Sequence, residues 1–392
     1  MKTGLEQGTD LAISAAETLL RSALRGEPAQ WPQESDPTFE KDLLKASAYH
    51  GVQALIYHHL KPTPFWSTWP TVLRDRLEKA AHRQAATELI RRHELVTVLG
   101  ELANSGVRSL LLKGTPLAYA LYPSAALRTR GDTDLLIKTA DLGAVCEVLE
   151  RLGYRRPNAV SGKLISSQFC YQKQDRYDVG HDLDVHWRIS NFQSLGHVLT
   201  FDELDSRSVP VPALGPYARR LGFLDALLLA CIHRLTHYQA PYYIGPVAHY
   251  GGNRLIWLYD IHLLASSLPP EDWELFIRAA EEKRLRAICL DGLSVAAQAL
   301  GTCLPKKALQ ALVVEPRSED ISVAPFSGRH WRWQISELLA LPDWRQRMTL
   351  MREHLFPPAS YMLQKYRKTD RRLLPFLYLR RAVNGFLKRL GP

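Results

Sequence analysis

The sequence predicts an α+β fold, with a small α/β core of mixed sheet and helices that is flanked by helical regions. Apolar residues recur at helical spacing over residues 10–105. From Gly106 the pattern changes to short apolar runs that alternate with helical segments. A cluster of prolines and glycines follows residue 210, and helical spacing then resumes. We therefore predict an N-terminal helical region at 1–105, a core at 106–210, and a C-terminal helical region at 211–392 that ends in a basic amphipathic tail.

The two helical regions consist of separate periodic stretches. In the N-terminal region, one stretch begins near residue 11 and two others span 42–60 and 77–102. Prolines mark a loop at 62–70. In the C-terminal region the predicted helices are 221–238, 255–267, 273–300 and 331–341, followed by the tail. Residues 312–328 read as a loop, and the prolines around 210–216 resemble a linker.

The core is predicted to begin with a buried strand at 107–112 and a second strand at 133–137. Thr115 and Pro116 fit a helix start between them, with Thr115 as the N-cap and Pro116 at the first helical position. A helix at 140–152 is closed by Gly153, and two further strands are expected at 164–172 and 182–189.

Composition excludes several classes of protein. The chain has 392 residues, 46% hydrophobic and 23% charged, which is typical of a folded domain rather than a disordered one. The longest apolar run, 223–232, is about half of a membrane span and contains Asp225, so no transmembrane helix is expected. Five scattered cysteines without a CxxC pair argue against a disulfide scaffold. The N-terminus lacks the apolar core of a secretory signal, and we expect a cytoplasmic protein.

The net charge of +10 is concentrated at the C-terminus. Residues 361–392 hold nine Lys or Arg and one acidic residue, whereas the remaining 360 residues carry 41 bases and 39 acids. Apolar residues are interleaved with these bases, as in a basic amphipathic helix. Such a tail suits contact with RNA, contact with an anionic membrane surface, or simple packing on the body with its bases outward.

Two aspartates open the second predicted strand. Asp132 and Asp134 are two residues apart, so both project from one face of the strand. Paired carboxylates repel each other unless a cation lies between them, and Mg²⁺ commonly bridges carboxylates and substrate phosphates. The alternative without a function is that the two aspartates are simply the solvated end of a strand. That alternative does not explain the basic and glycine residues described next.

Lys113-Gly114-Thr115 joins the first strand to the following helix. Glycine lets the backbone approach a ligand, and a helix start favours an anion such as a triphosphate. Arg128 and Arg130 precede the acidic pair and suit phosphate oxygens. Capping of the strand is the alternative role for Lys113, and a role as N-cap alone is the alternative for Thr115.

Another strand with acidic residues follows, fifty residues after Asp132. Asp182, Asp184 and His186 alternate with the apolar Leu183 and Val185, so the three polar residues share one face. A carboxylate here would complete a two-metal site, as a ligand or as the base for the attacking group. We interpret Asp182 as a solvated neighbour of Asp184. His186 is interpreted as a structural histidine or a general base.

This order of motifs resembles the DNA polymerase β-like nucleotidyltransferase superfamily. More narrowly, it is similar to a bacterial family of uncharacterised nucleotidyltransferases. The similarity is carried by Leu-Leu-Lys-Gly at 111–114, Tyr-Pro at 122–123, Arg-x-x-Gly-Asp-x-Asp-Leu-Leu at 128–136, Asp-Val-His-Trp at 184–187 and a later motif at 254–260. The seventeen residues between Gly114 and Asp132 exceed the gap in many superfamily members.

The resemblance implies transfer of a nucleoside monophosphate from an NTP with two Mg²⁺ ions. Asp132, Asp134 and Asp184 match the metal-binding and catalytic carboxylates. Gly114 and Thr115 match the nucleotide-binding turn and Arg128 the family's arginine, whereas Arg130 has no obvious counterpart. The acceptor is a small molecule, a peptide or RNA. The alternatives are a toxin-like enzyme that acts on tRNA and a catalytically silent module that binds nucleotide or serves as a scaffold.

A candidate acceptor pocket combines His186 with residues of the C-terminal region. His233 and His237 are four residues apart and share a helix face, but without nearby cysteine or acidic ligands they do not predict zinc. Arg254 and Asp260 fall on roughly one face of a later helix, where a link between them, an acceptor contact or plain helix packing are the alternatives.

Overall fold

The computed structural model describes residues 14–33, 38–157, 162, 164–245, 247–313 and 330–390. Over these residues the chain has an α+β fold, with a six-stranded mixed sheet and helical regions on both sides in sequence. The predicted fold class is therefore confirmed.

Four helices form the N-terminal region: α1 (Ala15–Arg25), α2 (Phe39–His50), α3 (Gln53–Leu60) and α4 (Thr71–Asn104). The predicted stretch 42–60 is in fact two helices. Gly51 ends α2 with φ 70, a left-handed conformation that suits glycine and turns the chain. The proline-marked loop forms a short 3₁₀ turn, Pro64–Thr68.

The sheet contains β1 (Ser109–Leu112), β2 (Asp132–Ile137), β3 (Gln168–Gln174), β4 (Gly180–His186), β5 (Val209–Pro210) and β6 (Arg219–Arg220). Its strand order is β3-β4-β2-β1-β6-β5. The pairs β2–β4 and β1–β6 are parallel, and the other three pairs, including the central pair β2–β1, are antiparallel. The proline-rich segment that resembles a linker in the sequence thus connects two strands of one sheet.

The core helices are α5 (Gly114–Ala120), α6 (Leu142–Arg151) and α7 (Phe201–Ser206). The expected helix start is wrong by two residues, because α5 begins at Gly114 with Lys113 in the N-cap position. Thr115 is buried, and its hydroxyl donates to that of Thr133 at 3.2 Å instead of capping the helix.

In the described part of the C-terminal region, the helices are joined by one hairpin, β7 (Tyr242–Ile244) and β8 (Val247–His249). Its helices are α8 (Phe223–Thr236), α9 (Leu255–Ser267), α10 (Asp272–Glu282), α11 (Arg286–Leu300), α12 (Lys306–Leu312), α13 (His330–Leu339), α14 (Trp344–Leu355), α15 (Ala359–Lys365) and α16 (Leu374–Leu390). The predicted helix 273–300 is interrupted at Arg284, where φ is 55. Most of the loop predicted at 312–328 lies outside the described residues. None of the described helices combines the length and hydrophobicity that a membrane span requires.

Each face of the sheet packs against a different set of helices. Leu111, Leu135 and Leu183 face a core with α4 and α6, whereas Leu110 and Leu136 face a core with α8 to α11. This alternation follows from the two-residue period of a strand. The polar ends of β2 and β4 lie on the same face as Leu136, which directs them toward the C-terminal helices.

Candidate active site

The acidic residues of β2 and β4 are cross-strand neighbours. The parallel register pairs Asp132 with Asp182, Asp134 with Asp184, and Leu136 with His186. Because side chains alternate along a strand, all four aspartates and His186 project from the same face of the sheet. The sequence patterns of the two strands are therefore brought together at one edge of the core.

Asp134, Asp184 and His186 form the tightest group of metal-ligand types among the described residues. One ligand atom from each lies within 4.8 Å of the others. Asp132 is outside this group, although it is the residue that the sequence pairs with Asp134. Two carboxylates supply the hard oxygen ligands that Mg²⁺ prefers, so the donor set fits a divalent cation. His186 Nδ1 is buried without a hydrogen-bond partner in the described part of the chain, which leaves it as an unused ligand atom.

Asp134 is the centre of this group. Its Oδ1 accepts a hydrogen bond from Lys113 Nζ at 2.6 Å and one from His186 Nε2 at 2.9 Å. Burial alone would raise the pKa of Asp134, but Lys113 and His186 outweigh it and hold that pKa well below its usual range. Burial would likewise lower the pKa of Lys113, which the Asp134 carboxylate raises. Asp134 is thus ionised, and its Oδ2 remains available to a ligand.

Asp184 is held by β3. Its Oδ2 accepts from Gln168 Nε2 at 3.0 Å, and Cys170 on the same strand is a further side-chain partner. Burial, followed by repulsion from Asp134, raises the pKa of Asp184. A carboxylate whose pKa is raised toward neutrality is suited to accept a proton.

Asp132 stands at the open end of β2 and is exposed. The surrounding protein atoms, followed by repulsion from Asp134 and Asp184, raise its pKa to about 7. This carboxylate has no ion-pair partner among the described residues. A cation bound between Asp132 and its two neighbours would relieve the repulsion.

The raised pKa of Asp132 predicts a pH dependence of stability. Between the ordinary and the raised pKa the folded protein binds more protons than the unfolded chain, so stability falls as the pH rises toward 7. Asp132→Asn is expected to stabilise the metal-free protein by about 1 kcal/mol above neutral pH, a modest value because solvent screens the exposed carboxylate. Urea unfolding with a chelator at several pH values measures this. An equal gain for the neighbouring Asp182→Asn would contradict the assignment.

The turn between β1 and α5 brings Lys113 and Gly114 to the site. Lys113 has φ 55 and ψ −132, a region that non-glycine residues rarely adopt. Such backbone strain often accompanies functional positions, and here it accompanies the contact of Lys113 with Asp134. A Cβ on Gly114 would lie 2.8 Å from Arg128 Nη2, so only glycine fits this approach.

Arg128 and Arg130 both take part in buried ion pairs with helices outside the core. Arg128 contacts Asp260 of α9 at 2.6 Å, and Arg130 contacts Glu88 of α4 at 2.7 Å. The two pairs fix the segment before β2 from opposite sides. The sequence suggestion that Arg254 links to Asp260 is wrong, because Asp260 accepts from Arg128 and from Tyr122. A contact of either arginine with phosphate stays a prediction.

The predicted acceptor residues of the C-terminal region form a cluster with aromatic rings. His237 stacks on Trp257 with ring centroids 4.7 Å apart, and the Nε2 atoms of His233 and His237 are 3.0 Å apart. Burial lowers the pKa of His237 to about 4 and that of His233 well below its usual value, so both are neutral at pH 7. Arg254 lies over the Trp257 ring at 5.1 Å and donates to the Tyr49 carbonyl.

This cluster adjoins the carboxylates. A cavity of about 30 Å³, room for a water molecule but not for a nucleotide, is lined by Lys113, Arg128, His233, Trp257 and Asp260 among others. His186, which the sequence groups with the acceptor residues, instead contacts Asp134 directly. The predicted acceptor role of His186, His233, His237, Arg254 and Asp260 stays a prediction.

Several residues that contact the site were not predicted as site residues from the sequence. Gln168 on β3 and Glu88 on α4 are single polar residues in otherwise ordinary patterns. Tyr122 belongs to the Tyr-Pro motif, but its contact with Asp260 spans 138 residues. The motif draws attention to Tyr122, but nothing in the local spacing predicts a partner so distant in sequence.

Comparison with known families places this geometry in context. The model of a family described as "Uncharacterised nucleotidyltransferase" matches residues 37–301. No curated protein matches the chain. The matched segment includes α2 to α11, the whole six-stranded sheet and every predicted site residue. On this match over more than half of its length, the chain belongs to the family of uncharacterised nucleotidyltransferases.

Proposed function

We propose that the protein transfers a nucleoside monophosphate from an NTP to an acceptor nucleophile in a Mg²⁺-dependent reaction. The observation that carries the proposal is the group of Asp134, Asp184 and His186, with ligand atoms within 4.8 Å of one another on adjacent strands. Family membership supports nucleotidyl transfer in general. The polymerase β-like core that the sequence resembles is part of the same proposal.

In the proposed reaction the acceptor attacks the α-phosphorus of the NTP. A new bond forms between the acceptor atom and phosphorus, the bond to the bridging oxygen breaks, and pyrophosphate leaves. Bound Mg²⁺, most simply two ions, would neutralise charge on the phosphates. Asp132, Asp134 and Asp184 would hold the cations. Asp184 would lie nearest the attacking group, as a metal ligand or as the base that takes its proton.

The nucleotide would bind beside the turn at Lys113, Gly114 and Thr115. The half-buried amine of Lys113 lies at the carboxylate group, so it is placed to donate a hydrogen bond to an incoming phosphate. Each of the two arginines has a nitrogen committed to an ion pair, Arg128 with Asp260 and Arg130 with Glu88, so a phosphate would share the guanidinium with that carboxylate.

The acceptor would lie against the cluster of His233, His237 and Trp257. Two neutral imidazoles and an aromatic ring offer hydrogen bonds and a stacking surface without a fixed charge. Such a surface suits a neutral or aromatic acceptor group, with Arg254 at its border.

Purified protein with NTPs labelled at the α-phosphate, Mg²⁺ and cell extract tests the proposal. The wild type is expected to transfer label and release pyrophosphate, and Asp132→Asn/Asp134→Asn is expected to do neither. Label in tRNA would favour the toxin-like alternative. Nucleotide binding without transfer or pyrophosphate release in any extract fraction would favour a silent nucleotide-binding or scaffold module.

A further inference from the structure

The C-terminal helices α14 and α16 each expose a set of large apolar side chains. On α14, Trp344, Met348, Met351 and Leu355 are 69%, 52%, 40% and 52% exposed. Their spacing of four, three and four residues places all four on one helix face, at about 3.6 residues per turn. The opposite face contains Leu350, which is buried, and Glu353, which binds the backbone N–H groups of Leu164 and Ile165. Helix α14 is therefore anchored on one side and apolar on the other.

Helix α16 repeats this arrangement. Phe376, Leu379 and Val383 are exposed at a spacing of three and four residues, while Leu377 is buried. Phe356, just after α14, contacts Tyr378 of α16 with ring centroids 5.6 Å apart. This contact brings the end of α14 to the middle of α16, so the two helices that carry the apolar stripes lie close together at this point.

The charge around these stripes is mainly positive. Residues 330–392 contain thirteen Lys or Arg and four acidic residues. Each acidic residue accepts a backbone hydrogen bond within the protein: Asp343 from Gln346, Asp370 from Arg372, Glu337 from Gln193, and Glu353 from Leu164 and Ile165. Asp343 and Asp370 are nevertheless exposed, so the surface is positive on balance rather than free of negative charge. Arg345 and Arg352 flank the α14 stripe and are exposed, as are Arg371, Arg372 and Arg380 near the α16 stripe.

We propose that this C-terminal surface, formed by the two apolar stripes and their flanking arginines, docks on an anionic lipid bilayer. Amphipathic helices with Trp, Phe or Leu on one face and basic residues beside it lie in the membrane interface. The apolar face enters the acyl boundary, and the arginines contact acidic headgroups. The surface is separate from the carboxylate site, and the proposal does not depend on nucleotidyl transfer.

Two other occupants fit the surface less well. Nucleic acid would use the arginines and the exposed rings of Trp344 and Phe376, but the rest of the two stripes, Met348, Met351, Leu355, Leu379 and Val383, offers no stacking platform for bases. A second copy of the chain would bring two strongly basic surfaces together, and like charges repel. The combination of an aliphatic stripe with a basic border is complementary to a bilayer that carries acidic headgroups.

Flotation of the full-length protein with vesicles tests the proposal. We expect binding to vesicles of phosphatidylcholine with about a third phosphatidylserine, much weaker binding to pure phosphatidylcholine, and weakening by salt. Met348→Ser/Leu355→Ser is expected to reduce partitioning at least about tenfold, because it removes apolar area from the interface. Leu89→Ser, at a residue that is 67% exposed on α4, is the matched control and should bind as the wild type does.

A charge variant provides the second arm. Arg371→Glu/Arg372→Glu/Arg380→Glu is expected to abolish the preference for acidic vesicles, whereas reversal of the exposed Arg76, Lys79 and Arg83 on α4 leaves it intact. Absence of binding to acidic vesicles, or equal loss in both controls, overturns the proposal. Two further outcomes, each without vesicle binding, would overturn the proposal in favour of another occupant. RNA binding that only the arginine variant abolishes would favour nucleic acid, and self-association that only the serine variant abolishes would favour a second copy of the chain.

Discussion

Asp134→Asn is expected to lower nucleotidyl transfer by about a thousandfold or more, equivalent to roughly 4 kcal/mol in the activation free energy. Asp134 is the residue on which Lys113 and His186 converge, and its buried carboxylate carries the charge that a cation would meet. Asparagine keeps the shape but removes that charge. Because the acceptor is unidentified, binding of Mn²⁺ and of Mn²⁺–NTP, followed by paramagnetic resonance and calorimetry, is measured beside transfer.

Asp182→Asn is the matched control for this prediction. Asp182 lies on the same face of β4, two residues before Asp184, and pairs in register with Asp132. It should leave metal binding and transfer close to the wild type. Comparable losses in Asp182→Asn and Asp134→Asn would mean that the negative charge of the whole sheet edge matters rather than a specific ligand group. Normal Mn²⁺ binding by a folded Asp134→Asn would contradict its role as a ligand.

The sequence predicted the parts of the site that depend on local periodicity. Asp132, Asp134 and Asp184 occur at alternating positions of apolar strands, and a two-residue period fixes their common face without further information. The roles of these aspartates stay predictions. Their relative positions needed one further fact, the parallel pairing of β2 with β4, which motif order in the resembled superfamily implies.

Interactions between distant segments were not predictable in this way. The contact of Lys113 with Asp134 depends on a positive φ at a lysine, which propensities would not assign. The pairs Arg128–Asp260 and Arg130–Glu88 join the core to helices 132 and 42 residues away in sequence. Both arginines were interpreted as phosphate ligands because arginine beside an acidic motif favours that hypothesis. Tertiary packing gave each guanidinium a carboxylate partner within the protein.

Helix boundaries illustrate the same limit on a smaller scale. Gly51 and Arg284 each interrupt a stretch whose apolar spacing looks continuous. Periodicity reports which residues face the core, and two packed helices in succession can preserve it across a turn. A glycine with a left-handed conformation was the available signal at residue 51, whereas an arginine at residue 284 offered none.

Asp260→Ala is expected to destabilise the protein by about 3–5 kcal/mol, because it leaves the buried Arg128 guanidinium without its counter-charge. Both side chains are about 6% exposed, and Tyr122 also loses its hydrogen-bond acceptor. Urea unfolding measures the change. Asp202→Ala provides the contrast: its ion pair with Lys138 is largely solvated, so the loss should stay below about 1 kcal/mol. Similar losses for the two variants would contradict a buried pair.

The double variant Arg128→Met/Asp260→Leu separates a structural role of the pair from a catalytic one. Removing both charges avoids the unpaired buried guanidinium, so much of the stability lost in Asp260→Ala should return. If Arg128 also contacts phosphate, the folded double variant will still bind Mn²⁺ through its intact carboxylates. Its affinity for NTP will fall about tenfold or more, as expected for the loss of a charge-assisted hydrogen bond. Unchanged NTP affinity in a stable double variant would limit Arg128 to holding the segment before β2 against α9.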